Sequence, residues 1–152
     1  MHIEYLSEHT SLVPQLARLH FEQWGYLRPG ETLEQRVARL QAGCGRGGVP
    51  TALVALEDAK LCGSAMLLAN DMETRRELTP WLAGLYVVAA CRGRGYGTAL
   101  VGRAESEARA LGVRRLYLYT PDAAAFYVRL GWVVTQTCEY LGQEVVVMSK
   151  QL

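Results

Sequence analysis

Residues 91–100 read CRGRGYGTAL, and this stretch decides how the rest of the chain is interpreted. It follows an apolar run, LAGLYVVAA (82–90), and precedes a helical pattern. A helix N-terminus has unpaired backbone N–H groups that attract anions. Glycine lets the backbone approach a ligand closely, and arginine adds a permanent charge whose fork suits phosphate oxygens. The stretch predicts a pyrophosphate site on Arg92, Gly93, Arg94, Gly95, Tyr96, Gly97 and Thr98.

Three phosphate-binding patterns can be compared with this stretch. The Walker A pattern GxxxxGK[ST] fails because its lysine is absent. The dinucleotide fingerprint GxGxxG fails because Thr98 stands where its third glycine belongs. The pattern that remains is RxxGxG, formed by Arg92, Gly95 and Gly97. The alternative is a glycine-rich turn between a strand and a helix, with arginines that are only solvated.

Length, composition and charge narrow the class of protein. A chain of 152 residues fits one domain that buries about two-thirds of its unfolded surface. Half of the residues are hydrophobic and a fifth are charged, which argues against disorder. The net charge of +1 gives no reason to expect a nucleic-acid or membrane partner. We expect a single domain over residues 1–152.

The cysteines and the N-terminus bear on compartment and metal binding. Cys44, Cys62, Cys91 and Cys138 have no CxxC pair and no close histidine, so we expect neither a metal site nor a disulfide framework. The first ten residues lack the apolar core of a signal peptide. The longest apolar run, 81–91, is too short to span a bilayer. We therefore expect a cytoplasmic protein with reduced thiols.

Hydrophobic periodicity predicts helices and strands in the order β-α-α-β-β-β-α-β-α-β-β. Ser11 is expected to cap a helix through about Trp24, and Thr32 to cap the next one. A third helix follows the glycine motif to Gly112, and a short one begins at Pro121. The expected strands are 2–6, 52–57, 61–69, 81–88, 114–119, 132–138 and 144–149. This order predicts a mixed α/β sheet with one clear parallel crossover, at 81–119.

A second motif follows the glycine–arginine loop. After the next strand the chain reads AxxFYxxxGW, formed by Ala123, Phe126, Tyr127, Gly131 and Trp132. RxxGxG followed by AxxFYxxxGW resembles the GNAT superfamily of acyl-CoA-dependent N-acetyltransferases. The resemblance covers nearly the whole chain in its element order. It implies an α/β (α+β) single-domain fold of about seven strands and about four helices, splayed at the central parallel strand pair.

The resemblance implies acetyl-CoA as co-substrate, with its pyrophosphate on the loop. The strand ending in Leu85, Tyr86 and Val87 would pair with the pantetheine arm. The N–H of Val87 would then polarise the thioester carbonyl. Tyr127 would protonate or hydrogen-bond the leaving sulfur. A Phe-Tyr pair on a short helix is also commonly core, which is the alternative for Tyr127.

The chain departs from the family pattern at two positions. Phe126 and Thr120 would complete the coenzyme site, but many relatives carry Asn where Thr120 stands. Some relatives carry a Glu base on the central strand, where this chain has Trp81. The base is therefore left open: Glu22 is the leading candidate, beside His20, Glu77 and a water chain.

The acceptor is expected opposite the coenzyme, near 22–28 and 140–143. Arg28 could hold a carboxylate there, and aromatic side chains could form the walls. The candidate acceptor-binding residues are Trp24, Tyr26, Arg28, Trp81 and Tyr140. The alternative for each of them is a role in core packing alone.

The leading interpretation is transfer of an acetyl group from acetyl-CoA to a primary amine of a small molecule, by direct attack. A second enzyme hypothesis has a protein or peptide amine as the acceptor. A third is a non-catalytic acyl-CoA sensor, which the missing strand carboxylate favours and Tyr127 disfavours. A homodimer is also a possibility by analogy, with the final strand pairing across it.

Overall fold

Seven strands form one mixed sheet in the computed structural model, which describes residues 1–152. In chain order they are β1 (His2–Tyr5), β2 (Thr51–Glu57), β3 (Lys60–Leu68), β4 (Trp81–Val87), β5 (Arg115–Thr120), β6 (Val133–Tyr140) and β7 (Gln143–Gln151). Their order across the sheet is β1-β2-β3-β4-β5-β7-β6. All neighbours are antiparallel except β4 and β5, which confirms the predicted mixed sheet with its one parallel crossover.

Four helices cover the two faces of the sheet. They are α1 (Val13–Trp24), α2 (Leu33–Ala42), α3 (Tyr96–Ala110) and α4 (Ala124–Arg129). Buried residues of α1 and α2 belong to one core cluster, and those of α3 and α4 to another. The predicted order of elements is confirmed in full.

Strand β2 shows why some strands of this sheet consist of consecutive apolar residues. Leu53 and Ala55 belong to the α3 and α4 cluster, whereas Ala52, Val54 and Leu56 belong to the α1 and α2 cluster. Side chains alternate across a strand, so a central strand between two helical layers needs apolar residues at every position. Each fully buried leucine contributes about 1.5–3 kcal/mol.

The helix ends match the predicted signals in part. Thr32 caps α2 in a full capping box: its Oγ1 accepts from the Gln35 N–H at 3.1 Å, and the Gln35 side chain accepts from the Thr32 N–H. The prediction for Ser11 is wrong, because residues 10–12 form a 3₁₀ turn and α1 begins at Val13 without a side-chain cap. Gly112 follows α3 in the left-handed region, with φ +80°.

Strands β4 and β5 separate soon after they meet. Their ladder contains the single pair Trp81–Tyr117, whereas β3 pairs with β4 as far as Val87. A bulge in β4 accompanies the separation, at Gly84, which has φ +59°. The expected splay of the central parallel pair is therefore present, and it opens a gap between β4 and the end of β5.

The final strand does not lie at an edge of the sheet. Strand β7 pairs with β5 on one side and with β6 on the other, because the β6–β7 hairpin folds back on itself. The expectation that the last strand pairs across a dimer is therefore wrong, and the edge strands are β1 and β6. No helix of the chain is both long enough and apolar enough to cross a membrane.

Candidate active site

The glycine–arginine loop ends at the N-terminus of α3. Gly95 occupies the position before the helix with φ +85°, and Gly93 has φ +73°, conformations that favour glycine. A Cβ atom at either position would meet nothing within 4 Å, so open space lies in front of the loop. Gly97 instead packs closely, since its Cβ would lie 3.3 Å from the Phe126 ring. The loop therefore has the open, N–H-rich surface that a pyrophosphate needs.

The two arginines of the loop have different partners. Arg92 is exposed, and its Nε donates to the carbonyl oxygen of Val87 at 2.9 Å. Arg94 pairs with Glu57 at 2.8 Å, and the Tyr96 hydroxyl donates to the same carboxylate at 2.6 Å. Those two hydrogen bonds lower the pKa of Glu57 to about 2. Arg94 is thus anchored to the end of β2, and Arg92 lies beside the gap between β4 and β5.

Two buried thiols lie beneath the loop. The Sγ of Cys62 lies 2.6 Å from the Sγ of Cys91, and with Glu57 their ligand atoms fall within 4.8 Å of one another. Cys62 and Cys91 are 29 residues apart in the sequence, so their contact was not predicted. The pairing of β3 with β4 brings the two thiols together. The Cys62 hydrogen bond and burial raise the pKa of Cys91 to about 11. Both thiols are buried, and the pair packs beneath the loop beside the carboxylate of Glu57.

The backbone of β4 presents hydrogen-bonding groups to the gap. The Val88 N–H donates to the Cys62 carbonyl on β3 at 2.8 Å. N–H groups of successive residues in an extended chain point to opposite sides, so the Val87 N–H points away from β3. Pairing with β5 has ended there, which leaves the edge of Leu85, Tyr86 and Val87 open to an extended ligand.

A cavity of about 280 Å³ opens beside this edge. Its walls come from α1, α2, the end of β3, β4 and the segment from β5 to α4. The predicted residues that line it are His20, Trp24, Arg28, Leu85, Thr120 and Tyr127. The fold therefore brings the tyrosine of the second motif, the β4 edge and part of the expected acceptor site to one cavity.

Tyr127 is buried but keeps a free hydroxyl. Its ring packs edge-on against Phe126, with centroids 5.1 Å apart, and against Trp132, 6.1 Å apart. The hydroxyl makes no hydrogen bond within the protein, while the residue lines the cavity. Burial, followed by the charge of Asp122, raises the pKa of Tyr127 well above 10. The phenol therefore stays protonated and can donate a hydrogen bond to a ligand.

Thr120 shapes the turn into α4. Its Oγ1 accepts from the Ala123 N–H at 2.9 Å and, at 3.4 Å, from the Asp122 N–H. These bonds form a Ser/Thr turn that positions the start of the short helix carrying Tyr127. The hydroxyl proton of Thr120 makes no hydrogen bond within the protein, so it can still be donated into the cavity.

His20 belongs to a buried hydrogen-bond relay at the bulge. Ser64 Oγ donates to the Gly84 carbonyl at 2.7 Å and lies 2.9 Å from His20 Nε2. The serine has only one proton, so we assign the shared imidazole proton to Nε2. Burial, with added effects of Arg36 and Arg39, lowers the pKa of His20 to about 3. The ring is neutral and a weak base, so its role is to hold the bulge.

Asp71 is a cavity residue that was not among the site residues predicted from the sequence. It lines the cavity just beyond β3 and makes no hydrogen bond or ion pair. Burial raises its pKa to about 7, although Arg28, Arg39 and Arg36 act in the opposite direction. A carboxyl group with this pKa can accept a proton at neutral pH. In sequence, Asp71 stands in the polar segment 70–80, and its position directly after a buried apolar strand was the available signal.

The other predicted base and acceptor residues lie away from this cavity. Glu22 and Glu77 are exposed and do not line it, and Tyr26 is 51% exposed. Trp81 is fully buried and donates through Nε1 to the Leu78 carbonyl at 2.6 Å. The Tyr140 hydroxyl accepts from the Glu73 N–H at 3.2 Å, and Tyr140 shares a core cluster with Trp81. Of the five expected acceptor residues, the cavity brings together Trp24 and Arg28.

Comparison with solved structures shows the same fold. A ribosomal-protein-alanine N-acetyltransferase from Brucella melitensis is 21% identical, with a TM-score of 0.75 over 100% of both chains. An aminoglycoside 6'-N-acetyltransferase complexed with coenzyme A is 18% identical, with a TM-score of 0.79 over 99% of this chain and 97% of that chain. The aminoglycoside 6'-N-acetyltransferase from Enterococcus faecium is also 18% identical, with a TM-score of 0.77 and the same coverage.

The sequence comparisons define the family. No curated protein sequence matches significantly. The sequence profile of the Acetyltransferase (GNAT) family matches residues 13–132, a range that includes α1, β4, the glycine–arginine loop and Tyr127. Because the profile covers most of the chain and both of its motifs, the protein belongs to the GNAT family of acetyltransferases.

Proposed function

We propose that the protein transfers the acetyl group of acetyl-CoA to the primary amine of a small molecule. The observation that carries this proposal is that one cavity contains Tyr127, with a free hydroxyl, and Asp71, with a free carboxyl. One side chain suits a leaving thiolate and the other an ammonium proton. An acyl-CoA sensor needs neither group.

The loop and the β4 edge fit coenzyme A. The pyrophosphate would bind the first N–H groups of α3, with Arg92 beside it and Gly93 and Gly95 leaving room. The pantetheine arm would run along Leu85–Val87, like a strand added to a sheet edge. Two solved relatives of the same fold, one of them the Salmonella typhimurium protein yncA, contain coenzyme A or acetyl-CoA.

Protein groups interact with the amine, the carbonyl oxygen and the leaving sulfur in the proposed reaction. The amine nitrogen attacks the thioester carbonyl carbon, and the carbon–sulfur bond breaks. Asp71 takes one proton from the ammonium group before attack, and the second N–H proton, lost as the amide forms, passes to the departing sulfur, which leaves as the thiol. The Val87 N–H stabilises the negative carbonyl oxygen. The Tyr127 hydroxyl hydrogen-bonds the departing thiolate; its raised pKa favours a hydrogen bond over full proton transfer.

Direct attack is favoured by the residues that line the cavity. No cysteine or serine lines it, and Cys62 and Cys91 are buried beneath the loop instead. A covalent acetyl-enzyme would need a nucleophile at this site. Among the lining residues the only aliphatic hydroxyl is that of Thr120, whose oxygen accepts two backbone hydrogen bonds.

The volume of the cavity favours a small acceptor. Small-molecule sites are typically about 300–1,000 Å³, and this one is about 280 Å³. Part of that space would hold the acetyl end of the coenzyme near Leu85 and Tyr127. The remainder admits a small amine more readily than a folded protein segment.

Thiol release from acetyl-CoA tests the proposal. Purified protein is mixed with acetyl-CoA and single members of a panel of amino acids, arylalkylamines, polyamines, aminoglycosides and short peptides, each against a blank without acceptor. We expect release above the blank for a small amine, with mass spectrometry showing one acetyl group added to that amine. Release with peptides alone would contradict the small-molecule assignment. A flat panel in protein that still binds acetyl-CoA would contradict catalysis.

A further inference from the structure

Two half-buried charged side chains in the cavity have no partner. Arg28 follows the 3₁₀ turn after α1, and Asp71 follows β3. Neither makes a side-chain hydrogen bond or an ion pair, although both line the same cavity. A half-buried charge without a partner is costly, so such groups commonly meet a ligand.

The other charged side chains at the cavity either have an ion-pair partner or are exposed to solvent. Arg36 donates through Nε to Glu31 at 2.8 Å, and Arg39 pairs with the other oxygen of the same carboxylate. Asp122 is exposed at the rim, beside the turn into α4. Glu31 thus serves the two arginines of α2, which leaves Arg28 as the cation available to a ligand.

Arg28 and Asp71 line the same cavity and form no ion pair with each other. The charge of Arg28 acts against the rise in the pKa of Asp71 that burial causes. A fixed guanidinium and a carboxyl that flank one small space match the two ends of a zwitterion. Apolar side chains also line the cavity, among them Trp24, Leu27, Leu40, Met66 and Leu68.

We propose that the acceptor is an apolar amino acid, whose carboxylate binds Arg28 and whose amine faces Asp71. This inference rests on the proposed acetyltransferase function and names its substrate class. A guanidinium holds a carboxylate in a charge-assisted hydrogen bond, so the acid is favoured over the same amine without it. An amine without a carboxylate, polyamines and aminoglycosides included, leaves Arg28 without a partner in the cavity.

The test compares acceptors that differ only in the carboxylate. Phenylalanine is paired with phenethylamine, and leucine with 3-methylbutylamine, with spermidine and kanamycin as polycations. The kcat/KM for thiol release is measured for the native protein, Arg28→Gln and the control Arg18→Gln. Arg18 is an exposed arginine of α1 that does not line the cavity. Affinity for coenzyme A and the melting temperature show that each variant is folded.

We expect the native protein and Arg28→Gln to differ in their preference for the amino acid over its decarboxylated amine. The native protein should prefer each acid by about tenfold or more, the factor that corresponds to 1.4 kcal/mol. Arg28→Gln should lose that preference through a higher KM for the acid, and Arg18→Gln should keep it. Decarboxylated amines or polycations that react as well as the acids would overturn the inference and leave the acetyltransferase in place. An unchanged preference in Arg28→Gln would also overturn it, whereas a lack of release with every amine would overturn both proposals.

Discussion

The hydroxyl of Ser64 donates a hydrogen bond to the carbonyl oxygen of Gly84 at 2.7 Å, which ties β3 to the bulge of β4. The same hydroxyl oxygen lies 2.9 Å from His20 Nε2, and both side chains are buried. The three groups satisfy one another, and two of them, His20 and Gly84, line the cavity where β4 turns away from β5. The shape of the gap therefore depends on a polar contact inside the core.

Ser64→Ala should destabilise the protein by about 1–3 kcal/mol, because it leaves the Gly84 carbonyl and the His20 N–H buried without partners. Ser106→Ala is the matched control, since Ser106 is exposed on α3 and makes no side-chain hydrogen bond. Urea unfolding at pH 7 measures the free energy of unfolding of both variants. Equal free energies of unfolding for the two variants would show that the relay adds no stability.

Thr98→Glu should weaken coenzyme A binding without harming the fold. Thr98 is exposed in the first turn of α3, where a carboxylate stabilises the helix but repels a pyrophosphate. Thr98→Gln adds similar bulk without the charge and serves as the control. Calorimetry should show about tenfold weaker binding for the glutamate than for the glutamine variant. Matching affinities in the two variants would place the pyrophosphate elsewhere.

Tyr127→Phe should lower kcat by about 10–100-fold, the worth of a hydrogen bond to a charged group. The KM for acetyl-CoA should change little, because the hydroxyl acts on sulfur that becomes charged only as it leaves. Tyr117→Phe removes a hydroxyl from β5 outside the cavity and is the control. Native turnover in Tyr127→Phe would assign that tyrosine to core packing alone.

Asp71→Asn should stabilise the protein at alkaline pH and not at acid pH. Burial raises the pKa of Asp71 from its ordinary 3.8 to about 7, so the folded state binds this proton more tightly than the unfolded state does. The proton's contribution to stability is complete below pH 3.8 and is lost as the pH rises through 7. At pH 8 the variant should gain on the order of 4 kcal/mol, the equivalent of a shift from 3.8 to about 7. Urea unfolding of both proteins at pH 4, 6 and 8 measures the gain, and a constant difference would contradict the raised pKa.

The fold was predictable because local signals agree with it. Apolar runs such as residues 52–57 mark strands between two helical layers, and Thr32 carries a complete capping signal. Gly93 and Gly95 mark the loop through the backbone conformations that they adopt. Ser11 misled the prediction of the first helix start, because residues 10–12 instead form a 3₁₀ turn.

The cavity was less predictable because it depends on contacts between distant segments. Asp71 gains its raised pKa only when the folded chain buries it, so sequence alone showed one acid in a polar stretch. Aromatic character alone could not separate Trp24, which lines the cavity, from Trp81, which donates to a backbone carbonyl in the core. The Cys62–Cys91 contact likewise exists only through strand pairing.

The pH dependence of catalysis by Asp71→Asn tests the central claim most directly. The kcat/KM for the acceptor is measured from pH 5 to 9 for the native protein, Asp71→Asn and the control Asp58→Asn, an exposed residue of the β2–β3 turn. The native rate should rise through about pH 7 as Asp71 loses its proton, whereas the Asn variant should be about 100-fold slower and lack that rise. A native rate and a native profile in Asp71→Asn would contradict the assignment of this cavity as the active site with Asp71 as its base.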